Sequence, residues 1–272
     1  MVQGTSSGVG KTTLVVALCR IFHNMGYSVA PFKSQNMSRF VYKGNGFVMS
    51  QAQAVQAIAA KTKPEPDMNP ILLKPNSENS SIVYVDGKRR SVCTAKEYYQ
   101  FAPKKGLVSA TTALSRLGKS YDLVIMEGAG SPAEINLQKY DIANMRMASR
   151  AKSPVLLVTD IDRGGSFASL VGTLQLLQKK HRELVRGYIF NKFRGDARIL
   201  DVGFTKLRKL TDIPVLGLVP YMDTNLPEED SLDGSSSKTV WKNDHALEKN
   251  IEKLAKIVRK NVNIPAIEEM IK

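Results

Sequence analysis

The stretch GTSSGVGKTT, residues 4–13, decides the fold that we expect for this chain. Apolar residues at helical spacing follow it as far as Phe22, and Gly26 marks the end of that predicted helix. A short segment rich in β-forming residues, YSVAPF at 27–32, comes next. Strand, glycine-rich loop, helix and strand in this order are typical of a βαβ unit.

The loop has the composition of a phosphate-binding loop. Its glycines let successive backbone N–H groups surround phosphate oxygens, and the N-terminus of the next helix adds positive dipole. Lys11 is expected to reach the β- and γ-phosphates, and Thr12 to bind Mg²⁺. The spacing is unusual, because five residues separate Gly4 from Gly10. A glycine-rich strand–helix turn without a ligand is the alternative. The residues predicted to bind nucleotide here are Ser7, Gly8, Val9, Gly10, Lys11, Thr12 and Thr13.

Strands and helices are predicted to alternate along the rest of the chain. The predicted strands cover 123–126, 155–158, 187–190 and 215–219, and the predicted helices cover 51–61, 108–117 and 166–180. Continuous apolar strands separated by helices indicate an α/β fold of the P-loop NTPase type, with a mostly parallel sheet and helices on both faces. Right-handed crossovers then place the ligand site at the carboxyl ends of the strands.

We expect one nucleotide-binding domain over residues 1–232, with an insertion near 68–107 that carries its own strands. A strand at 81–85 and a basic turn at 86–90 belong to this insertion. The stretch 233–237 is predicted to be a linker, and residues 233–272 are expected to complete the same domain with a terminal helix. That helix has Leu247, Ile251, Leu254 and Val258 on one face. The first strand is expected to be clipped, since only three residues precede the loop.

Composition limits the classes of partner. The 272 residues are 43% hydrophobic and carry a formal net charge of +14, which excludes a disordered or fibrous chain and favours anionic partners. Cys19 and Cys93 lie too far apart in sequence to indicate a disulfide framework or a metal site. No apolar run has the length of a membrane span, and no export signal is visible. We therefore expect a cytoplasmic protein with no membrane partner.

Two more segments carry candidate site residues. Glu127 follows a buried apolar strand and precedes glycines, so we expect it to act with Thr12 at Mg²⁺; a solvated glutamate at a strand end is the alternative. Asn191 and Lys192 follow the strand that ends at Phe190, and they resemble part of an NKxD-type motif for purine recognition. A plain Asx-type turn is the alternative for Asn191.

Several long motifs together resemble a known family. They are MVQGTSS (1–7), APFKSQNM (30–37), MNPILLKP (68–75), MEGAGSPAEINL (126–137), DIANM (141–145) and DIDRGG (160–165). These motifs are similar to the ATP-dependent synthetase domain of cobyric acid synthases. That family lies in the P-loop amidoligase group with dethiobiotin synthetase and cobyrinic acid a,c-diamide synthase. The resemblance covers residues 1 to about 232, and the five-residue spacing in the loop is also typical of this group.

The resemblance implies a reaction and its cofactors. ATP with Mg²⁺ would phosphorylate peripheral carboxylates of (adenosyl)cobyrinic acid a,c-diamide, and ammonia would convert the acyl phosphates into amides. The residues expected to be catalytic are Lys11, Lys33 and Glu127, because two lysines and a metal would neutralise charge on the transferred phosphoryl group. An ordinary surface lysine is the alternative for Lys33.

Substrate contacts are expected from polar residues at several strand ends. These candidates are Gln35, Asn36, Asn136, Asp160, Asp162, Arg163 and Gly164, with Glu134, Asp141 and Asn144 beside Asn136. Arg163 is expected to bind a substrate carboxylate in bidentate fashion, and N–H groups of Gly164 to add donors. A helix cap is the alternative for Asp162, and surface groups of an amphipathic helix for residues 134–144.

Ammonia is expected from outside this chain. Cobyric acid synthases usually continue into a glutaminase domain, whereas this sequence stops at Lys272. Neither cysteine lies in a nucleophile-elbow sequence, so we do not expect glutamine hydrolysis. A separate glutaminase subunit or free ammonia would serve instead, and a homodimer is one expected assembly.

Two other functions fit parts of the sequence. A P-loop ATPase of the partitioning or regulatory kind often has a second lysine early in the loop, and Thr5 to Val9 contain none. Nucleic acid is not an expected partner, because Lys88-Arg89-Arg90 is the only tight basic triplet. The second of these other functions is that of a related ligase, cobyrinic acid a,c-diamide synthase or dethiobiotin synthetase.

Overall fold

The computed structural model describes residues 1–224, 226–227 and 244–272. The predicted linker at 233–237 lies outside these residues. The described strands are β1 (Val2–Gly4), β2 (Val29–Phe32), β3 (Gln35–Met37), β4 (Val41–Gly44), β5 (Phe47–Ser50), β6 (Ile71–Ser77), β7 (Ser80–Val85), β8 (Lys88–Cys93), β9 (Leu123–Met126), β10 (Val155–Asp160), β11 (Val185–Phe193) and β12 (Val215–Pro220).

Helices connect most of these strands. They are α1 (Lys11–Asn24), α2 (Gln51–Ala59), α3 (Ala95–Phe101), α4 (Leu107–Ser120), α5 (Met145–Ala151), α6 (Ser166–Leu176), α7 (Lys179–Arg182), α8 (Asp201–Thr211), α9 (Asp244–Asn261) and α10 (Ile264–Glu269). Short 3-10 turns lie at Pro66–Met68, Gln138–Tyr140 and Ala197–Leu200, and one π-helical turn lies at Ala102–Gly106.

The central sheet is parallel and has the strand order β2-β9-β1-β10-β11-β12. Strands β1, β10, β11 and β12 pair in parallel, as do β2 and β9. A parallel bridge between Val2 and Glu127 joins the two groups. The α/β fold predicted from the sequence is confirmed, and β1 lies in the interior of the sheet, with the loop at residues 4–13 at its carboxyl end.

Helices cover both faces because the strand residues alternate between two cores. In β10, Leu156 and Val158 pack with residues of α1 and α9 on one face. Val155 and Leu157 pack with residues of α5, α6 and α8 on the other. The alternation explains why residues 155–158 of β10 are all apolar, as is expected of a central strand of a parallel sheet.

The terminal helix α9 packs on α1. Its buried side chains are Leu247, Ile251, Leu254 and Val258, as their helical spacing predicts. Arg20 of α1 is fully buried beneath it and donates hydrogen bonds to Glu248 and Glu252, both at 2.5 Å. The Arg20 Nε atom also donates to the Ala59 carbonyl at 2.7 Å. One guanidinium therefore connects α1, α9 and the end of α2.

Three strands of the expected insertion, β6, β7 and β8, form a second, smaller sheet with β3. Its strand order is β3-β6-β7-β8, with β3 parallel to β6 and the other pairs antiparallel. Strand β7 covers the predicted strand at 81–85. The predicted basic turn is wrong in extent, because only Asp86 and Gly87, both with positive φ, form the turn, and Lys88 already pairs in β8. The β4–β5 hairpin has no counterpart in the sequence predictions.

Two further boundaries differ from the predictions. The helix predicted over 166–180 is two helices, because Leu177 is extended with ψ of 146° and is buried in the core that α6 and β10 share. The turn considered at Asn191 is absent, because β11 continues to Phe193 and Asn191 pairs with Asp160. Among the described residues, none of the helices combines the length and apolar composition needed to cross a membrane.

Candidate functional site

The carboxyl ends of five adjacent strands bring most of the predicted site residues into one row. Along the sheet the row runs through Lys33 after β2, Glu127 after β9, the loop after β1, Asp160 at the end of β10, and Asn191 with Lys192 in β11. Parallel pairing causes this arrangement, since parallel strands end at the same edge. The structure thus collects residues that are far apart in sequence.

The glycine-rich loop has the backbone conformation that its glycines allow. Gly8 and Gly10 have φ of +72° and +94°, which residues with a Cβ rarely adopt. A Cβ on Gly10 would lie 2.1 Å from Asn191 Nδ2. Helix α1 begins at Lys11, whose Nζ donates to the carbonyls of Ser6 at 2.9 Å and Gly130 at 3.0 Å.

Glu127 is the centre of a buried cluster of hydrogen bonds. Only 1% of this residue is exposed, although its side chain is a carboxylate. Its Oε1 accepts hydrogen bonds from Lys33 Nζ at 2.7 Å and Thr12 Oγ1 at 2.8 Å. Lys33 is itself 4% exposed, so the surface alternative for this lysine is wrong. The structure brings together the two residues predicted to hold a metal, and it adds an ammonium group beside them.

Gln56 belongs to this cluster, and the sequence predictions missed it. Its Nε2 donates to Glu127 Oε2 at 2.5 Å, and its own Oε1 is buried without a hydrogen-bond partner. Gln53 lies one turn earlier in α2, and its Oε1 accepts from Asn36 Nδ2 at 3.0 Å. Both glutamines are fully buried. Polar residues repeated on the buried face of an alanine-rich helix are the signal that would have revealed them.

These residues fit a bound nucleotide with Mg²⁺. The loop exposes a backbone without side chains at Gly8, where a Cβ would meet nothing within 4 Å. Lys11 and Lys33 bring two positive charges to the loop, and Thr12 with Glu127 offers the hydroxyl and carboxylate oxygens that Mg²⁺ prefers. Such a site takes its remaining ligands from phosphates and water, so it needs no cluster of protein carboxylates.

Asn191 and Lys192 hold the loop itself. Asn191 Nδ2 donates to the Val9 carbonyl at 2.8 Å, and Lys192 Nζ donates to the Gly8 carbonyl at 2.7 Å. Lys192 also has φ of +63°, an unusual conformation for lysine that is common at functional sites. Purine recognition by these two residues stays a prediction.

The substrate candidates near β10 lie on the Lys192 side of the loop. Asp160 accepts from Lys192 Nζ at 2.8 Å, and Arg163 lies 3.6 Å from the same carboxylate with its side chain 75% exposed. Asp162 pairs with Arg194 at 3.1 Å. Gly164 has φ of +76° in the turn before α6. A substrate role for these four residues stays a prediction.

A large cavity opens on the other side of the loop, beside Gly130. It measures about 880 Å³. Its walls come from β3 and the insertion, from the segment 129–146, and from the α6–α7 junction. The first wall includes Gln35, Leu73 and Tyr98. The segment 129–146 contributes Gly130, Ser131, Glu134, Asp141, Asn144 and Arg146. The α6–α7 junction contributes Gln178, Lys180 and His181. The cavity and the phosphate loop share Gly130, whose carbonyl accepts from Lys11.

Among the polar candidates at this cavity, Gln35 and Asn144 have fixed geometry. Tyr98 Oη donates to Gln35 Oε1 at 2.7 Å, and burial raises the pKa of Tyr98, so the hydroxyl stays a donor. Asn144 binds both the N–H and the carbonyl of Ala129, at 3.1 and 2.7 Å, which fixes the chain after β9. The hydrogen bond from Tyr98 therefore holds the side-chain amide of Gln35 at the cavity.

Three other candidates have different surroundings. Asn36 is buried and donates to Ser50 and Gln53 instead of lining the cavity. The carboxylate of Asp141 accepts three backbone N–H bonds from residues 143, 144 and 146. Asn136 is exposed and is not part of the cavity lining. The amphipathic helix considered for 134–144 is absent, because this segment forms turns and the short 3-10 turn at Gln138–Tyr140.

The fold and the loop geometry define a P-loop nucleotide-binding protein. Residues 1–232 match the family model described as the CobQ/CobB/MinD/ParA nucleotide binding domain, and the chain belongs to this family.

Curated relatives are similar at high identity. The chain is 54% identical over 233 residues to a probable cobyric acid synthase of Thermococcus kodakarensis, which covers 85% of this chain and 48% of that protein. It is 53% identical over 235 residues to a cobyric acid synthase of Dehalococcoides mccartyi, which covers 85% of this chain and 46% of that protein. The motif resemblance is thereby confirmed, and the chain spans about half the length of these relatives.

Solved structures are similar at lower identity. The MinD cell division protein of Aquifex aeolicus is 13% identical with a TM-score of 0.45, covering 94% of this chain and 93% of its own. The signal recognition particle receptor FtsY of Elizabethkingia anophelis, in complex with GDP, is 18% identical with a TM-score of 0.46, covering 80% of this chain and 55% of its own.

Proposed function

We propose that this chain is an ATP-dependent carbon–nitrogen ligase of the cobyric acid synthase type. Its substrate would be a corrinoid polycarboxylate, (adenosyl)cobyrinic acid a,c-diamide, whose peripheral carboxylates become amides. The observation that carries the proposal is the shared wall at Gly130, where the Lys11 ammonium group lies next to a cavity of about 880 Å³. A carboxylate in that cavity would lie beside the phosphates held by the loop.

Bound Mg-ATP would supply the phosphoryl group and a divalent charge. The substrate carboxylate would accept the γ-phosphoryl group to give an acyl phosphate, with ADP as the leaving group, and ammonia would then attack the carbonyl carbon of the acyl phosphate, releasing phosphate and one proton. Lys11 and Lys33 would neutralise charge on the transferred group, because ammonium groups fixed in a site with little water act strongly on a developing anion. Thr12 and Glu127 would hold the cation, and Gln56 would keep the Glu127 carboxylate in place.

The names of the curated relatives support this proposal, since both relatives cited are cobyric acid synthases. The proposal also includes a cytoplasmic location and a homodimer. Its ammonia would come from outside the chain, from a separate glutaminase or from solution. Recognition of the purine by Asn191 and Lys192, and binding of substrate groups by Asp160, Asp162, Arg163 and Gly164, are further parts that need direct tests.

The test is a reaction with Mg-ATP and ammonium in the presence of cobyrinic acid a,c-diamide or its adenosyl form. Mass spectrometry of the corrinoid should show stepwise replacement of hydroxyl by amino groups, each step decreasing the mass by about one unit. Glutamine alone should not support the reaction. ATP turnover that ignores the corrinoid, with no mass change, would contradict the proposal and favour a regulatory or partitioning ATPase.

A further inference from the structure

One wall of the cavity contains a guanidinium nitrogen without a hydrogen-bond partner. Arg146, the second residue of α5, lines the cavity, and its Nη1 is buried and makes no hydrogen bond within the described structure. A buried donor without an acceptor costs free energy. A guanidinium group keeps its charge at every physiological pH, so it cannot lower that cost by losing a proton. A buried donor of this kind usually has an acceptor. Nη1 is shielded as the side chain stands, so the guanidinium group would turn towards the cavity to meet an acceptor on a ligand.

The nearby carboxylates do not serve as that acceptor. The Oδ2 atom of Asp141 accepts from the Arg146 backbone N–H at 3.1 Å, and its Oδ1 accepts from two other backbone N–H groups. Glu78 and Glu134 also line the cavity, and neither accepts a hydrogen bond from Arg146 Nη1. The Asp141 carboxylate thus binds backbone N–H groups of the residues that follow it and not the Arg146 guanidinium group.

Other basic side chains line the same cavity. Arg150 is one helical turn beyond Arg146, and Lys180 with His181 follows from α7. Burial lowers the pKa of His181, with Lys180 adding to the shift and Asp141 opposing it, so His181 is mostly neutral near pH 7. Arg146, Arg150 and Lys180 therefore supply the positive charge of this cavity.

From this geometry we propose that Arg146 binds a carboxylate of the substrate other than the one being phosphorylated. Lys11 lies at the cavity through its bond to Gly130, and Arg146 lines the same cavity from α5. A substrate with two or more carboxylates would place one at each. The planar fork of arginine fits a carboxylate with two hydrogen bonds, which fixes orientation as well as position. This inference rests on the proposed function for the identity of the substrate.

The first experiment compares binding of two corrinoids, without ATP, by their visible absorbance. Cobyrinic acid a,c-diamide carries the free carboxylates, and cobinamide has amides in their place. The Arg146→Gln variant should lose about tenfold or more in affinity for the acid and keep its affinity for cobinamide within about twofold. Arg146→Lys should give an intermediate loss, because lysine keeps the charge without the fork. Equal losses for both corrinoids would overturn the assignment.

Two controls separate binding from folding and from total charge. Arg186→Gln removes one positive charge from an exposed position of β11 outside the cavity, and it should leave both affinities unchanged. The KM for ATP should stay within about twofold in Arg146→Gln, since Arg146 is not part of the phosphate loop. An acid-specific loss of the same size in Arg186→Gln would show that total charge is responsible and would overturn the proposal.

A second measurement keeps the two proposals apart. If the wild-type protein neither binds nor amidates the corrinoid, the proposed function fails, and tricarballylate then serves as a small polycarboxylate probe. In NMR spectra the guanidinium resonances of Arg146, assigned by their absence in Arg146→Gln, should shift in a saturable manner as tricarballylate is added. If these resonances do not shift, Arg146 does not bind a carboxylate, and the proposal for Arg146 fails independently of the proposed function.

Discussion

Glu127 shows how a single residue joins the nucleotide side of the site. Its two carboxylate oxygens accept from a hydroxyl, an ammonium and an amide group, contributed by Thr12, Lys33 and Gln56. A carboxylate buried to this degree is stable only with such partners, because desolvation of an unpaired charge costs several kcal/mol. Each partner can be tested separately.

Replacing Lys33 by methionine should remove catalysis while nucleotide still binds. The substitution keeps most of the side-chain volume and removes the ammonium group beside Glu127, so kcat for amidation should fall by about 100-fold or more. The Kd of a fluorescent ATP analogue should change by less than about threefold, because Lys11 and the loop backbone remain. Lys119→Met, at an exposed position of α4, is the matched control and should keep full activity. A Lys33→Met enzyme with near-normal kcat would rule out the catalytic role.

Replacing Gln56 by leucine tests a positioning role. Glu127 Oε2 would lose its amide donor, and the carboxylate would be free to turn, so kcat should fall by about tenfold and the Mg²⁺ concentration for half-maximal rate should change. Glutamate at position 56 should be more harmful, because two carboxylates would then face each other. Gln100→Leu, at an exposed position of α3, is the control. An unchanged Mg²⁺ response in Gln56→Leu would show that Gln56 only fills space.

At the scale of the element, the turn from β1 into α1 depends on backbone conformation. Gly10 precedes the helix with φ of +94°, and Asn191 of β11 contacts the place where a Cβ would be. The loop is therefore fixed from two directions, by its own glycines and by the neighbouring strand.

Gly10→Ala should weaken nucleotide binding by about tenfold or more and destabilise the fold by about 1–3 kcal/mol, because a Cβ at this φ is strained and collides with Asn191. Gly118→Ala is a matched control within α4, where a Cβ meets nothing within 4 Å. It should stabilise the protein by about 0.5–1 kcal/mol through helix propensity. Urea unfolding and titration with a fluorescent nucleotide measure both effects. Equal behaviour of the two variants would contradict the special role of Gly10.

At the scale of the whole molecule, ionic contacts help to hold α9 against α1. Arg20 is fully buried and binds Glu248 and Glu252, and Lys61 also binds Glu248 at 2.5 Å. Hydrogen bonds from Arg20 lower the pKa of Glu248 to about 2, with Lys61 contributing and partial burial opposing the shift. Removing one of the two carboxylates would leave the buried guanidinium with less compensating charge, so these contacts matter more than surface ion pairs.

The Glu248 shift predicts a specific pH dependence. A depressed folded-state pKa gives stability that is present above the unfolded value of 4.5 and is lost as pH falls towards about 2. Glu248→Gln should therefore cost about 1–3 kcal/mol at pH 7, after allowance for solvent screening, and this difference from wild type should shrink as pH falls through that window. Urea unfolding of both proteins between pH 2 and pH 7 checks it. Glu183→Gln, at an exposed position, is the control and should show no such change. If the difference in free energy of unfolding between Glu248→Gln and wild type stays constant from pH 7 to pH 2, the predicted pH dependence is wrong.

Much of the site followed from residues that are adjacent in sequence. The phosphate loop with Thr12 could be predicted from its glycines and the residues that follow them. Glu127 and Lys33 could be predicted because each comes directly after an apolar strand, and parallel strands share their carboxyl edge. The role of Gln56 was missed, because the polar residues repeated on the buried face of α2 indicate burial and do not indicate a contact with Glu127, which lies 71 positions away. Arg146 was missed for the same reason: its part in the site depends on which walls enclose the cavity.

The sequence by itself determined the α/β class, the phosphate loop and the order along the chain of the strands in the second half of the central sheet, since these depend on local periodicity and on the freedom of glycine at positive φ. Only the tertiary structure decided where Asn191 and Lys192 act, which candidates line the cavity and which guanidinium lacks a partner there. Those properties depend on long-range packing and on the enclosure of polar atoms away from water, which no local pattern of residues encodes.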